Sequence, residues 1–572
     1  SAAAVLHVLG QSNVELPSGM LLEEQRTVPL RVGHLLRDVD QVREIVVGID
    51  GDRAIRLADV ATIEDGPAEP TQYVEYLDPA SGAFEPAVTI AIAKREGENA
   101  AAIAEHAIHR VDERTGTVLS DDVRVTVTRD YGETATEKSE ELLFHILVAT
   151  LGVALLVWLT LGWRESVVVL VAVPVTLALT MLVYRLYGYT LNRITLFALV
   201  FAIGILVDDA IVVVENIARH LGLARRPRDE AAVVAVDEVG NPTILATLTV
   251  IAAILPMAFV SGLMGPYMRP IPVGASVAMI FSLAVAFIVT PYLAVRLLKG
   301  HAPPEGHEGD EEAVPTGRLA TAYRGLLEAL LRSGRRRLAA YGAMVALLLG
   351  SVLLVPLRLV TVKMLPFDDK SEFQLIVDTP EGTTLEQTAH VAKELALAVS
   401  TDPAVHHVQT YAGVAAPFNF NGLVRHYFLR RGPNVADVQV NLLPKHDRTE
   451  QSHDIALRVR PVVDSIARAY GVSVKLAEIP PGPPVLSTLT AEIYGPRYDE
   501  QIEVAARVKE VFERTEGVVD VDWSVTAPHH EVRAVVDQTE AMRAGSDPTQ
   551  VARTLAATLG GMAAGLLHDE HA

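Results

Sequence analysis

ILVDDAIVVVEN, residues 205–216, sets two adjacent aspartates, Asp208 and Asp209, inside an apolar run, Leu196 to Ile217, long enough to cross a bilayer. An ionised Asp at the centre of a membrane helix costs about 2.5 to 3.5 kcal/mol by insertion scales. Acids accepted at that depth face a bundle interior or a wet path and mark function. A carboxyl poised between burial and a nearby cation can take up a proton on one side and release it on the other. Gly204, one turn before Asp208, leaves room for a neighbouring helix to approach. Seven residues is almost two turns, so Glu215 sits over Asp208 and Asn216 over Asp209, and Arg219 is spaced to pair with Glu215.

Two other readings compete. The aspartates would cap a helix of a soluble domain if the preceding run were a buried strand, but five similar apolar runs accompany this one. Intramembrane aspartyl proteolysis needs two carboxyls across one bond, whereas neighbours on a helix diverge by about 100°.

Six stretches approach the ~20 residues that span ~30 Å of hydrocarbon: Leu142–Gly162, Val167–Tyr187, Leu196–Ile217, Thr243–Leu263, Val273–Val295 and Leu338–Leu359. Arg164, then Arg219, Arg225, Arg226 and Arg228, then Arg296, Lys299, Arg332, Arg335, Arg336 and Arg337 crowd alternate connections, against Arg185, Arg193 and Arg269 on the other side. The richer side is cytoplasmic, which sends residues 1–141 and 360–572 together to the opposite face. Residues 299–317, KGHAPPEGHEGDEEAVPTG, read as a flexible linker, and 318–338 either as a basic amphipathic helix on the inner membrane surface or as an extension of the next membrane helix.

The composition agrees with a chain that is part membrane and part aqueous. Of 572 residues half are hydrophobic and 21% charged, and the mean hydropathy is +0.28. The net charge of −21 argues against a nucleic-acid surface, and the absence of cysteine excludes disulfides and thiolate chemistry. Outside the apolar runs, residues 87–129 read as strand, helix, strand. Residues 372–479 read as β-α-β-β-α-β, the ferredoxin-like order. A third, partial unit follows from Leu489 to Trp523. The two ends align as well, with Val5, Leu9, Gly19 and Leu21 falling on Val551, Leu555, Gly565 and Leu567, as in an internal duplication.

GILVDDAIVVVENI closely resembles the fourth transmembrane helix of resistance-nodulation-division (RND) efflux permeases. The resemblance extends through LRDV, IRLADVATIEDG, PVTLALT, MLPFDDKSEFQLIVDTPEGTTLE and PPGPPVLSTLTAEIYGP. It implies a multi-pass bacterial inner-membrane protein with six transmembrane helices here, α+β ferredoxin-like periplasmic porter subdomains and partial docking subdomains. It implies no enzyme and no cofactor, but proton-driven export of hydrophobic or amphiphilic compounds toward an outer-membrane channel. The implied partners are two further copies in a trimer, a periplasmic adaptor protein and membrane lipids.

Registered against the family, residues 1–66 are a partial docking subdomain, 67–135 half a porter subdomain and 136–298 the family's helices two to six. Residues 299–337 are the linker and surface helix, 338–360 helix seven, 361–482 a whole porter subdomain, 483–537 half of another and 538–572 the start of a second docking subdomain. The family's proton relay carries over to Asp208 and Asp209, and the lysine that pairs with them is implied to lie beyond this stretch. By position, APFNFNGLVRHYFLR, 416–430, resembles the mobile loop beside the drug pocket, offering Phe418, Phe420, Tyr427 and Phe428 to substrate. His406–His407 and His529–His530 are disfavoured as metal ligands because strand neighbours point to opposite faces, and the lack of Met and Cys between Met364 and Met542 disfavours Cu(I). A transport-inactive assembly or sensing relative, or an RND exporter of lipids or metal ions, is the alternative.

Overall fold

The computed structural model describes residues 2–23, 26–120, 122–223, 226–262, 264–298, 318–360, 369–479, 487 and 489–568. The linker 299–317 lies outside these residues. Helix α1 (Ala2–Ser12) leads into an exposed antiparallel hairpin, β1 (Val14–Glu23) with β2 (Arg26–His34). Short helix α2 (Val39–Arg43), hairpin β3 (Val46–Asp50) with β4 (Arg53–Arg56) and turn-length α3 (Leu57–Val60) then enclose Leu36, Ile45 and Leu57. Strands β5 (Tyr73–Leu77) and β6 (Phe84–Pro86) follow, and then α4 (Ala100–Asp112), capped by the Asn99 side chain.

The six apolar runs fall in long helices: α5 (Tyr131–Thr160), α6 (Trp163–Leu186), α7 (Arg193–Leu223), α8 (Arg228–Ile254), α10 (Pro270–Leu297) and α12 (Gly334–Leu353), with the short α9 (Met264–Met268) leading into α10 and the amphipathic α11 (Arg318–Arg332) before α12. At Leu255–Phe259 the backbone of α8 tightens into a 3₁₀ turn containing Pro256, which has no N–H to continue the α ladder. Helix α7 is the axis, packed by α5, α6, α8 and α10. Lipid gives little hydrophobic drive between helices, so small residues and hydroxyl bonds carry the packing. Gly274, Ala275, Ala278, Ser282 and Ala286 of α10 are buried, and Ser282 Oγ donates to the Leu206 carbonyl at 2.6 Å. Helix α12 buries none of its residues against the others described.

Beyond the helices, β7 (Glu372–Asp378), α13 (Leu385–Ser400), β8 (Val405–Val414), β9 (Arg431–Leu442), α15 (Ser452–Tyr470) and β10 (Ser473–Glu478) follow the β-α-β-β-α-β order, with α14 (Phe420–Val424) between β8 and β9. With β5 and β6 they form one antiparallel sheet, ordered β10-β7-β9-β8-β5-β6. Its period-2 alternation splits the faces. Phe373, Leu375, Val377, Val438 and Val440 pack on α13 and α15 around Leu395 and Ile455. Each such buried side chain contributes about 1.5–3 kcal/mol.

Only the helical part of two sequence expectations appears. Residues 87–129 and 489–523 form α4 and α16 (Tyr498–Arg514), without the flanking strands expected of them. Strands are defined by ladder hydrogen bonds, and these flanking segments form no ladder with any described strand. Val88, Ile90 and Ile92 stay exposed, while residues 126–131 cross the polar face of the sheet through side-chain bonds. After α17 (Gln538–Arg543), helix α18 (Pro548–Leu559) rests near α1. Asn13 Nδ2 donates to the Leu566 carbonyl at 2.5 Å and the His568 amide to the Leu36 carbonyl at 2.8 Å, so the two similar ends meet. Their likeness holds for the helices but not beyond them, since β1 is a strand and 560–568 is not.

Candidate functional site

The adjacent aspartates part company on α7. Asp209 is buried between α8 and α10, accepting from Thr247 Oγ1 at 3.0 Å with Ser282 beside it. Asp208 lies on the exposed stripe of the same helix with Phe201, Gly204 and Glu215. The close approach expected at Gly204 is absent: a side chain there would meet nothing described within 4 Å. The same stripe that carries Asp208 leaves Gly204 uncovered.

Toward the C-terminal end of α7 the expected Arg219–Glu215 pair is replaced by another. Arg219 donates to both Glu238 oxygens, at 2.7 and 2.9 Å, and to Asn216 Oδ1 at 3.1 Å. His220 Nε2 lies 2.7 Å from the same carboxylate. Asn216, as expected on the Asp209 side, is buried and donates to the Ala235 carbonyl at 2.7 Å and to Glu238 at 3.3 Å. Sequence reading chose Glu215 because it is near along the chain. Glu238, on the antiparallel neighbour, is reached only by packing.

The aromatic candidates form a loose group. Phe418 is exposed and packs on the half-buried Phe428, ring centroids 5.0 Å apart, and Tyr427 is half-buried in a 3₁₀ turn. The side chain of Phe420 lies outside the described residues. The loop that holds them joins residues 126–131 in covering a buried polar layer, the second face of the sheet, which the sequence reading missed. Arg129 Nε and Tyr131 Oη donate to Glu372 at 2.8 and 3.0 Å, Gln374 Nε2 to Asp437 at 2.9 Å, and Asn419 Nδ2 to Gln374 at 2.8 Å. Arg430 donates to Asp437 and Asp378, each at 2.5 Å.

Burial pushes the Asp437 carboxyl above the usual range despite Arg430. Burial also opposes the Asp378 carboxylate, but Arg430 and Lys475 outweigh it and hold that carboxyl low. Burial, then the adjacent His406, pushes His407 down to about 4. On the neighbouring strands β8 and β9, His407 Nε2, Gln409 Nε2, Gln439 Oε1 and Asn441 Oδ1 are buried without a hydrogen-bond partner among the described residues. The exposed His529 and His530 join no cluster of three or more metal-type ligands among the described residues.

Six helices long and apolar enough to cross a membrane, one burying an aspartate against hydroxyls, define a polytopic membrane protein of the transport class. Residues 1–571 match the AcrB/AcrD/AcrF family, and the chain belongs to it. It is 29% identical over 420 residues to the multidrug resistance protein MdtC of Pantoea ananatis (strain AJ13355), an alignment covering 72% of this chain and 39% of the relative. The chain thus spans well under half the length of the curated relative it matches. This is a family of RND efflux transporters, not of enzymes.

Proposed function

We propose that the protein is the energy-coupling and substrate-handling part of an RND permease that exchanges protons for hydrophobic or amphiphilic compounds taken from the periplasm or membrane. It passes them toward an outer-membrane channel, working as a trimer with a periplasmic adaptor in the bacterial inner membrane. Residues 361–482 are then a ferredoxin-like porter subdomain, residues 67–135 half of a second that adds β5 and β6 to its sheet, and the two chain ends docking elements. Asp208 and Asp209 carry the protons, and Phe418, Phe420, Tyr427 and Phe428 line the substrate's way.

The observation that carries this reading is Asp209, buried at mid-helix with hydroxyl partners from two other helices where an apolar residue would pack at no electrostatic cost. Asp208, on the same level but uncovered, is placed to meet a cation from outside the described helices. Dye efflux by the full-length protein tests it. Asp208→Asn and Asp209→Asn should each abolish proton-driven efflux while the protein remains in the membrane; efflux by both at the wild-type rate would remove the proton-relay assignment.

A further inference from the structure

We propose that protons leaving Asp209 reach the cytoplasmic face along the seam between α7 and α8, by way of Thr247 and Thr243, with the His220 imidazole, held by Glu238, as terminal acceptor. This rests on the proton-relay reading above. Two facing stripes define the seam. On α7, Asp209, Val213, Asn216 and His220 recur at steps of four, three and four residues; on α8, Thr247, Thr243, Val239 and Ala235 recur at steps of four. Thr247, Thr243, Asn216 and Asp209 are all buried, so this is an interior line of polar groups and not a solvated surface.

The chemistry at the upper end suits proton release. Thr247 has one hydroxyl proton and two acceptors within reach, Asp209 Oδ1 at 3.0 Å and the Thr243 carbonyl at 2.9 Å. It serves the carboxylate when Asp209 is charged. Once Asp209 is protonated, the hydroxyl turns to Thr243 and its oxygen accepts from the new acid. Thr243, one turn on, repeats the arrangement by donating to the Val239 carbonyl at 2.8 Å.

At the lower end one carboxylate gathers Asn216, Arg219 and His220. Arg219 fixes the Glu238 carboxylate in place, and that carboxylate holds the His220 imidazole, whose Nε2 lies 2.7 Å away. The other packed helix, α10, brings the apolar Phe287, Ala294 and Leu298 to this end. The nearby cations are engaged elsewhere, Arg228 of α8 with the Leu298 carbonyl and Arg296 of α10 with the Tyr292 ring. Between the two ends lie Val213 and Val239, an apolar turn that a transient water chain would cross and that blocks leak at other times. In the net step the Asp209 O–H breaks and an N–H on His220 forms, leaving Asp209 negative and the imidazolium positive beside the Glu238 carboxylate, and the proton then leaves to bulk water.

The test uses full-length protein in proteoliposomes, reading substrate-driven proton flux while the pH on the cytoplasmic side is varied. Glu238→Gln and Thr243→Val should keep wild-type melting temperatures, lower the flux at least about tenfold and flatten its dependence on cytoplasmic pH. His220→Asn should lower the flux and flatten that dependence likewise. A lower flux with the wild-type pH profile would show a helix clamp and overturn the proposal, as would wild-type flux in all three. Asp209→Asn separates the two levels: if it abolishes coupling while the seam variants do not, only the outlet falls, and if it leaves coupling intact, the relay falls with it. Should Glu238→Gln fail to fold, Thr243→Val and His220→Asn decide by the same readouts.

Discussion

Replacing Arg430 with Met would break the most deeply buried ion pair of the sheet while keeping its aliphatic bulk. Asp437 is fully buried and takes its positive partner among the described residues from Arg430, with further bonds from Gln374 and the Ala416 amide. Asp378 loses one partner but keeps Lys475 at 2.9 Å. Leaving a buried charge unpaired costs about 3–5 kcal/mol. At 1.4 kcal/mol per tenfold, that is a rise of roughly two to three and a half orders of magnitude in amide exchange for peptides from β7 and β9, if they open locally.

The pH dependence has a definite sign. The Asp437 carboxyl already sits high in the folded protein through burial, and losing Arg430 raises it further. A folded-state value above the unfolded one means stability that is present at low pH and lost as pH rises through the folded value. The gap between variant and wild type should therefore widen from acid to neutral pH, and Asp437→Asn in the Arg430→Met background should close most of it. Hydrogen exchange of the full-length protein in detergent measures all of this. Wild-type protection of β7 and β9 in Arg430→Met at pH 7 would refute the assignment of Arg430 as the counter-charge.

Phe373→Ala removes a side chain that is 1% exposed beneath α13 and should cost about 3–5 kcal/mol, read as a lower melting temperature of the extramembrane part. Because His407 is pushed down to about 4 by burial, its contribution to stability is present above the unfolded value near 6.5 and is lost as pH falls. Each pH unit in that interval removes about 1.4 kcal/mol, and His407→Gln should abolish this part of the acid sensitivity in a melting series. Gly413→Ala forces a side chain onto φ +82°, with its Cβ 2.5 Å from the Thr71 carbonyl oxygen. It should destabilise the β5–β8 junction by about 1–3 kcal/mol, and unchanged exchange of β5 would count against that strain.

The membrane helices were legible because twenty apolar residues in a row have few other fates, and the strands and helices of residues 372–478 because their apolar spacing switches cleanly between periods of two and about 3.6. The position of Asn216 on the Asp209 side also followed from helical geometry. What stayed hidden depends on partners distant in sequence. Arg219 chose Glu238 over Glu215, a decision taken between two helices. Glu372, Gln374, Asp437 and Gln439 alternate with apolar neighbours as they would on a solvated face, and nothing local says that residues 126–131 and 415–430 cover them. Flanks of α4 and α16 had strand-like composition but form no ladder with a described strand.

That sheet is consequently two-sided in its thermal behaviour. Prising α13 and α15 from it would hydrate hydrocarbon and raise the heat capacity, tying the helices down across the physiological range. Lifting residues 126–131 and 415–430 from the other side would hydrate mainly amides, carboxylates and guanidinium, whose contribution to heat capacity has the opposite sign. Such a joint parts with a free-energy gap nearly linear in temperature, without the curvature that the apolar side imposes.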